Sequence, residues 1–240
     1  MKTHAKKYSL IASLLLSFSL LSGCATIHGE TDPEDPLESF NRAMYSFNDT
    51  LDQAVLKPVA QGYNAVLPSP VNKGVSNFFN NLEDIVVVFN DLLQFKFEQA
   101  LTDTARVFFN STIGIFGLID VASGMDMPKH NEDFGQTLGY WGVDPGAYIV
   151  WPFFGPSGVR DTVGSITDAY VNPLYDIEPV GTKNALLVVN VVDTRAGLLS
   201  ASKILKEAAL DPYLFVRDAY LQRRQNLVYD GNPPKLKFDE

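Results

Sequence analysis

The 240-residue sequence predicts an all-α fold that is interrupted near its centre by loops and a short hairpin. Apolar residues recur at spacings of three and four over most of the chain, which is the period of an amphipathic helix. Asp-Pro and Ser-Pro pairs precede several of these stretches and are typical helix starts. The interruption follows from composition, because nine glycines and four prolines lie between positions 114 and 158 and such residues break helices.

The part of the chain before position 114 carries most of the periodic segments. Asp35 with Pro36 predicts the first helix start, with the Asp side chain as the N-cap. The predicted helices cover residues 35–54, 58–67, a stretch from 69 onward, 82–95 and 97–112. A strand is the alternative for the β-branched residues 86–88, but the length and the wider spacing of that segment favour a helix.

The central region, residues 114–158, is unusually aromatic for a region of loops. The aromatic and apolar residues between its glycines and prolines include Phe134, Tyr140, Trp141, Tyr148, Ile149, Val150, Trp151, Phe153 and Phe154. Either this region folds inward as a core or it faces something apolar. The segment 143–147 has turn chemistry, so we predict a short hairpin there.

The C-terminal part is again predicted to be helical. One helix begins near Gly158, a second covers 182–209, and a third runs from Asp211 to about Val228. Residues 185–192 (ALLVVNVV) are apolar nearly all round, so this stretch is either deeply buried or in contact with lipid. Eight residues are too few to cross a bilayer, which needs about 20.

The N-terminus resembles the signal peptide of a bacterial lipoprotein. Three lysines precede an apolar run from Tyr8 to Leu21, and small residues lead to Cys24, the only cysteine. A cysteine directly after the cleavage site is typical of a lipobox, where the thiol is acylated. We predict a signal peptide over 1–23 and lipid attachment at Cys24; the alternative is a secreted protein with a stray thiol. Ala25 rather than Asp follows the cysteine, which in enteric-type bacteria favours the outer membrane.

Charge restricts the partners of the mature chain. Removal of residues 1–23 takes away three lysines and leaves 16 basic against 28 acidic residues, a formal charge of −12. This balance argues against nucleic acid, which needs a basic surface, and against a polybasic attachment to anionic lipid. We predict a polar tether over 24–35, one helical domain over 36–229 and a C-terminal tail over 230–240.

The motifs of common enzymes are missing from the sequence. It has neither a phosphate-binding loop nor a dinucleotide fingerprint. Its two mature histidines, His28 and His130, do not have the spacing of a metal site. We therefore predict no catalytic residues, no metal and no cofactor, although a triad through His130 stays open because triads are not local in sequence.

Several polar residues are embedded in apolar runs, and two interpretations of them remain open. They are Arg106, Asn110, Gln136 and Arg160. In the first interpretation they make buried hydrogen bonds or ion pairs that fix loops. In the second they form a path for a phosphate-bearing headgroup, which Arg, Asn and Gln donors favour.

At these residues the chain resembles the MlaA (VacJ) family of outer-membrane phospholipid-transport lipoproteins. The matching stretches are 35–42 (DPLESFNR), 106–120 (RVFFNSTIGIFGLID), 133–139 (DFGQTLG), 148–161 (YIVWPFFGPSGVRD), 193–196 (DTRA) and 211–224 (DPYLFVRDAYLQRR). Together they span almost all of the mature chain in the order of the family. One small departure is Asp193, where the family pattern leads us to expect Glu.

The resemblance implies a ring-like helical bundle around an amphipathic channel, lying in the outer membrane. It implies phospholipid as the substrate, and a trimeric porin and a soluble periplasmic lipid-binding protein as partners. It also implies removal of phospholipid from the outer leaflet. The residues that we then expect on the lipid path or against the membrane are Gly114, Gly117, Phe134, Tyr148, Trp151, Phe153 and Phe154.

Three functions are open from the sequence: a lipid channel without chemistry, a lipid hydrolase or acyltransferase, and a structural accessory of a porin. Gly114 and Gly117 follow the Phe108–Phe109 pair and could let the backbone bend beside a channel. Bulky substitution at Gly114, or deletion of residues 40–41, would then change lipid flux more than folding. The alternative is that these are ordinary packing positions.

Overall fold

The computed structural model describes residues 35–234, apart from the side chains of 206–208. The signal peptide, Cys24, nearly all of the predicted tether and the last six residues lie outside that range. The helices are α1 (Glu38–Leu51), α2 (Lys57–Val66), α3 (Ser69–Leu93), α4 (Phe97–Thr112), α5 (Phe134–Tyr140), α6 (Val159–Val171), α7 (Val180–Gly197), α8 (Leu199–Ala208) and α9 (Pro212–Val228). Strands β1 (Tyr148–Trp151) and β2 (Gly155–Gly158) form a hairpin. The all-α prediction with one short hairpin is confirmed.

The first helices differ from the prediction in their ends. A π-helical turn, Asp52–Leu56, joins α1 to α2 without a break. The N-cap position of α1 is Leu37, and the predicted cap by Asp35 is wrong because its carboxylate instead accepts a hydrogen bond from Asn41. The segments predicted from 69 and over 82–95 are one helix, α3, so the strand alternative for 86–88 is wrong.

The centre contains a helix that the sequence pattern did not indicate. Asp133 caps α5 by accepting a hydrogen bond from the backbone N–H of Gln136 at 2.8 Å. The hairpin pairs Tyr148 with Gly158 and Trp151 with Gly155, so its turn lies at 152–154 and not at 143–147 as predicted. Phe153 and Gly155, with φ of 69° and 82°, supply the left-handed backbone that this turn needs.

The predicted helix over 182–209 divides at Leu198 into α7 and α8. No single helix among residues 35–234 is long and apolar enough to cross a bilayer, whereas α7 together with Leu199–Leu205, bent by 49°, would qualify by length and composition. Of the two alternatives for the apolar run 185–192, deep burial is wrong, because Val188 and Val191 are 64% and 51% exposed. The predicted start of α9 is confirmed, since the Asp211 carboxylate accepts hydrogen bonds from the N–H groups of Tyr213 and Leu214.

The elements pack in a closed circuit. Helix α1 contacts β1, the hairpin contacts α9, and α9 contacts α5. From α5 the contacts continue to α3, then to α7 and α2, and the π-helical turn leads back to α1. This circuit is the ring-like arrangement that the resemblance implies. It brings Asp35, at the start of the described chain, beside the first turns of α9 and the hairpin.

Burial in this fold is the reverse of that in a typical water-soluble domain. Among residues 35–234, sixteen polar or charged side chains are buried against eleven hydrophobic ones, while 38 large hydrophobic side chains are exposed. Soluble proteins bury Val, Leu, Ile and Phe and leave Asp and Arg outside. The interior is therefore held mainly by hydrogen bonds and ion pairs, and the apolar surface faces outward.

Candidate functional site

The loop after α4 carries the densest exposed apolar surface of the described chain. Its large apolar side chains are between 44% and 78% exposed, and they are Ile113, Ile115, Phe116, Leu118 and Ile119. We call these five residues the apolar crest. The stretch 107–119 contains no charged residue. Contiguous apolar surface of this kind marks a contact with membrane or with another protein.

The crest is held in a fixed, strained shape from within. Gly117 N–H donates to the carbonyl of Asn110, and Ile119 N–H donates to the carbonyl of Gly114, both at 2.8 Å. Ile115 and Phe116 have φ of 55° and 56°, a left-handed conformation that costs bulky residues free energy. The surrounding contacts therefore maintain a backbone that exposes these side chains.

The two glycines of this loop are packing positions. A Cβ atom on Gly114 would lie 2.1 Å from the carbonyl oxygen of Ile119 and 2.4 Å from that of Asn110. Gly117 has φ of +87°, and a Cβ atom there would lie 2.7 Å from the side chain of Asn81. Both glycines are buried. The geometry favours the packing alternative over a freely bending hinge.

A buried polar cluster supports the loop from below. Arg106 Nη1 donates to the carbonyl of Met127 at 2.7 Å, and Arg106 Nη2 lies 3.4 Å from the Asp120 carboxylate. Asn110 donates to Asp120 at 3.1 Å and accepts from the N–H of Ala122 at 3.0 Å. We call Arg106, Asn110 and Asp120 the polar base. Burial raises the pKa of Asp120, but hydrogen bonds from Ser123 and Asn110 and the charge of Arg106 outweigh burial and lower this pKa.

The headgroup-path interpretation of Arg106 and Asn110 is not supported by this geometry. Arg106 is 1% exposed and Asn110 is 3% exposed, so neither side chain faces a path. Arg106 also lies 3.6 Å from Asp84 and 4.0 Å from Asp103. Both residues fix the loop, as the first interpretation had it.

Gln136 and Arg160 lie in a second buried network, which fastens α5 to α6 and α9. Arg224 donates to Asp133 and, at 2.9 Å, to Asp161. Burial raises the pKa of Asp133, but the bonds and charge of Arg224 outweigh this and lower it. Gln136 donates to Asp133 at 3.0 Å and Arg160 donates to Asp161 at 3.1 Å. These two predicted path residues also act as fixing residues.

The predicted aromatic contacts at the hairpin divide into two groups. Tyr148 is 1% exposed and packs with Val150 and Tyr213, so the expectation that it contacts membrane or channel is wrong. Trp151, Phe153 and Phe154 are 38%, 70% and 89% exposed, which agrees with a contact outside the protein. The side chain alternates inward and outward along a strand, which explains why neighbours in sequence separate.

Phe134 begins α5 and is half-buried, with its ring edge-on to Trp141 at 6.1 Å. Its N–H donates to the Asp168 carboxylate at 3.0 Å. Burial raises the pKa of Asp168 to about 6, against the opposing bonds from Phe134 N–H and Asn90. Nothing local in the sequence indicates this role of Asp168, because its partners are 34 and 78 positions away.

Helix α4 extends the apolar surface away from the crest. Its outer side chains Phe97, Leu101 and Phe108 are 63%, 72% and 60% exposed. Its inner face carries Asp103 and Arg106, which are buried. The spacing of three to four residues separates the two faces, but the apolar one is turned outward.

Sequence reasoning named residues 40–41 as a gating position but did not indicate the seam that Asn41 forms where the ring closes. Asn41 donates to Asp35 at 2.8 Å and to the carbonyl of Tyr148 at 3.0 Å, and it accepts from the N–H of Val150 at 2.8 Å. The Tyr213 hydroxyl donates to Asp35. The side chain of Asn41 thus hydrogen-bonds to the backbone of β1 as a neighbouring strand would. A polar residue in an amphipathic helix gives no sign of a partner more than 100 positions away.

His130 pairs with a buried carboxylate, and the hydroxyl partner that a catalytic triad needs is missing from the described residues. His130 Nδ1 lies 2.6 Å from Asp103 Oδ2, but within residues 35–234 no Ser or Thr hydroxyl hydrogen-bonds to His130. In the same range no group of three His, Cys, Asp or Glu side chains could hold a metal ion. A cavity of about 200 Å³ lies between α3, α5 and α6 and is lined largely by polar residues, among them Glu83, Asp133, Asp168 and Asn172.

Comparison with known proteins extends over nearly the whole chain. A model of the MlaA lipoprotein family matches residues 33–227. The "Intermembrane phospholipid transport system lipoprotein MlaA" of Escherichia coli (strain K12) is 38% identical over 230 residues, which make up 92% of this chain and 89% of that protein. The protein of the same name from Haemophilus influenzae is 36% identical over 94% of this chain and 92% of its own length.

A solved structure is similar in fold as well. Its description is "Structural basis for maintenance of bacterial outer membrane lipid asymmetry". It superposes with a TM-score of 0.72 at 35% sequence identity, and the match covers 82% of this chain and 99% of the other.

Proposed function

The chain belongs to the MlaA lipoprotein family, and we propose that it removes misplaced phospholipid from the outer leaflet of the outer membrane. It passes the lipid to a soluble periplasmic lipid-binding protein, without chemical conversion. Relatives named for intermembrane phospholipid transport support the substrate, and the similar structure described by outer-membrane lipid asymmetry supports the place.

The observation that carries the proposal is the reversed burial. A protein whose charged side chains lie inside and whose Phe, Ile and Val side chains lie outside is suited to hydrocarbon surroundings. Moving a headgroup through hydrocarbon is costly. A ring that is apolar outside and encloses a path shielded from hydrocarbon lowers that cost, and such transfer needs neither a nucleophile nor a cofactor.

The anchor and the partners follow from the same proposal. Acylation of Cys24 attaches the chain to the periplasmic side of the outer membrane, and each buried methylene contributes about 0.8 kcal/mol to that attachment. The exposed hairpin residues Phe153 and Phe154 and the apolar crest offer surfaces for bilayer and for a trimeric porin. The acidic mature chain fits neither nucleic acid nor a polybasic attachment.

Cells that lack this chain test the function. Outer-leaflet phospholipid and detergent sensitivity should both rise, and the wild-type chain should restore them while Cys24→Ala should not. Unchanged outer-leaflet phospholipid in the deletion strain would favour a structural porin accessory instead.

Photocrosslinking tests the partners. Crosslinkers at exposed positions in 134–154 should yield lipid and porin adducts, whereas a crosslinker at the exposed Arg223, the matched control position, should yield neither.

The hydrolase alternative is tested with purified protein. Labelled phospholipid incubated with the protein should be recovered intact. Release of free fatty acid or lysolipid that depends on His130 would overturn the proposal, because His130 is the described histidine that pairs with a buried carboxylate.

A further inference from the structure

Two carboxylates face each other inside the α3–α4 hairpin. Asp91 on α3 and Asp103 on α4 are both 0% exposed. One oxygen of each has a partner: Asp91 Oδ1 accepts from Gln99 Nε2 at 2.8 Å, and Asp103 Oδ2 lies 2.6 Å from His130 Nδ1. The other two oxygens, Asp91 Oδ2 and Asp103 Oδ1, are buried without a hydrogen-bond partner. We call Asp91 and Asp103 the acid pair.

Helix geometry places the two carboxylates on the facing sides of α3 and α4. Gln99 and Asp103 lie one turn apart on the same face of α4, and Gln99 reaches across to Asp91. Asp103 therefore faces α3 beside Asp91. Two ionised carboxylates in that position would repel each other and leave two buried acceptors unsatisfied, which is costly. A single proton between them removes both problems, because it makes one carboxyl a donor to the other.

We propose that the acid pair holds one proton, and that loss of this proton loosens the α3–α4 hairpin from the segment 128–132 that packs against it. The neutral carboxyl of Asp91 donates through its O–H to the carboxylate of Asp103. On deprotonation the proton passes to water, and two carboxylates remain. This inference concerns a regulation of the fold and does not rest on the proposed function.

The charges around the acid pair set the direction of the response. Burial, followed by the charges of Asp103 and Glu132, raises the pKa of Asp91 to about 8, while Lys96 opposes the shift. The charged and titratable groups that face the pair or its partners are Lys96, Glu132, Arg106, His130, Asp84, Lys129 and Asp230. Lys96 is already bound to Glu132 at 2.8 Å and to Asp230 at 2.5 Å, so it does not fully neutralise a third carboxylate.

The sign of the effect on stability follows from the proton count. Between the unfolded pKa of about 3.9 and the folded pKa of about 8, the folded state holds a proton that the unfolded state has lost. The stabilisation by this proton is fully present below about pH 4 and is lost as the pH rises through about 8. Above that pH the pair repels.

A nearby cavity gives the loosening a structural consequence. A cavity of about 600 Å³ lies at the tip of the hairpin, and Lys96, Gln99 and His130 are in its wall. These three side chains bind Glu132, Asp91 and Asp103, respectively. Movement of the hairpin away from residues 128–132 would therefore enlarge this cavity and admit water to the acid pair.

The chain contains its own reporter for this movement. Trp141 Nε1 donates to the carbonyl of Leu93 at 3.2 Å, at the end of α3. The sequence has two tryptophans, so Trp151→Phe leaves Trp141 as the single fluorophore. In that background, with the protein in detergent micelles, Trp141 emission should change in one transition with a midpoint at about pH 8.

Asp91→Asn tests the assignment, because an amide mimics the protonated acid and cannot titrate. It should abolish the transition near pH 8 and flatten the fall of Tm between about pH 4 and about pH 8. Asp168→Asn is the control, since it removes a half-buried carboxyl whose pKa is also raised, to about 6, and should leave the transition in place. A transition that persists in Asp91→Asn, or none in the parent protein, overturns the proposal.

Infrared spectroscopy of the parent protein gives a result that does not depend on folding of the variant. At about pH 7 the spectrum should contain the carbonyl band of a protonated carboxylic acid, and the band should be lost by about pH 9.5. A spectrum without that band at about pH 7 shows that the pair holds no proton, and the proposal fails.

Discussion

The apolar crest and the polar base lie in the same short stretch of chain but obey opposite rules. In the crest every side chain is apolar and that of Phe116 is 78% exposed, whereas the base buries Arg106 among three carboxylates. In a soluble protein the two would exchange places. The comparison shows how this fold presents apolar groups to its surroundings: a buried ionic cluster fixes the backbone, and the backbone holds the side chains out.

The contrast between base and crest implies that the base determines stability and that the crest determines contacts with an outside partner. Removing a base residue leaves buried charges without partners, which destabilises the fold. Removing a crest side chain takes away little internal packing, so it should affect the outside partner of the loop. Variants of the two groups should therefore fall into two classes, and the next predictions are ordered by their effect on the free energy of unfolding.

Arg106→Ala should have the largest effect. It leaves Asp84 and Asp103, both buried, without their shared cation, and breaks the bond to the carbonyl of Met127. Loss of one partner from a buried ion pair costs about 3–5 kcal/mol. Denaturant unfolding in detergent measures it, with the exposed Arg223→Ala as the control for loss of a positive charge. A loss under about 1 kcal/mol would show that the base does not hold the loop.

Gly114→Ala should follow, with a loss of about 3 kcal/mol from overpacking. The added methyl group would lie 2.1 Å from a backbone oxygen, so the loop itself must move. Gly62→Ala is the matched control, because nothing lies within 4 Å of its Cβ position and the change should stabilise α2 by about 0.5–1 kcal/mol.

The same variant decides between packing and gating at Gly114. Packing predicts low protein level in cells and a lipid defect in proportion to that loss. A Gly114→Ala protein of normal abundance with altered outer-leaflet phospholipid would instead support the gating hypothesis.

The helices of this fold could be predicted from sequence because their signals are local. The caps at Asp211 and the start of α3 at Ser69 depend on neighbours within four residues, and both were confirmed. The joining of α1 to α2 was missed because a π-helical turn has no sequence signature as simple as a proline or a glycine. Helix α5 was missed because the glycines at 135 and 139 suggested loop.

The partners of the buried polar residues could not be predicted from one sequence. Arg106, Gln136 and Arg160 stood out because charged and amide groups are rare in apolar runs, and that signal found residues of the network correctly. It could not distinguish a headgroup path from an ion pair, since both need the same donors. The distinction depends on Asp84 and Asp161, which carry no local sign of their role.

The exposure of the aromatic residues at the hairpin was predicted only in part, because it depends on the register of the strands. Trp151 lies on the outward face at the end of β1 and Phe154 lies on the turn, whereas Tyr148 faces inward because of the strand register. The hairpin turn was predicted at 143–147 and lies at 152–154. Without the correct turn the pairing of the strands is unknown, so inward and outward positions could not be assigned. The hydrophobic pattern gives the spacing of a face, but not whether the face meets protein or hydrocarbon.

Phe116→Asn should have the smallest effect on stability and a large effect on function. Asn tolerates the left-handed φ of 56° at this position better than Phe does, so the unfolding free energy should change by less than about 1 kcal/mol. The loss of a 78% exposed ring removes part of the apolar surface that we propose as a contact with bilayer or porin. Outer-leaflet phospholipid should therefore rise at normal protein level.

Tyr170→Asn, at an 83% exposed aromatic on α6, is the control for loss of any exposed ring. If both variants raise outer-leaflet phospholipid equally, the crest has no special part in lipid removal; if neither does, the exposed apolar surface serves only to keep the protein in the membrane.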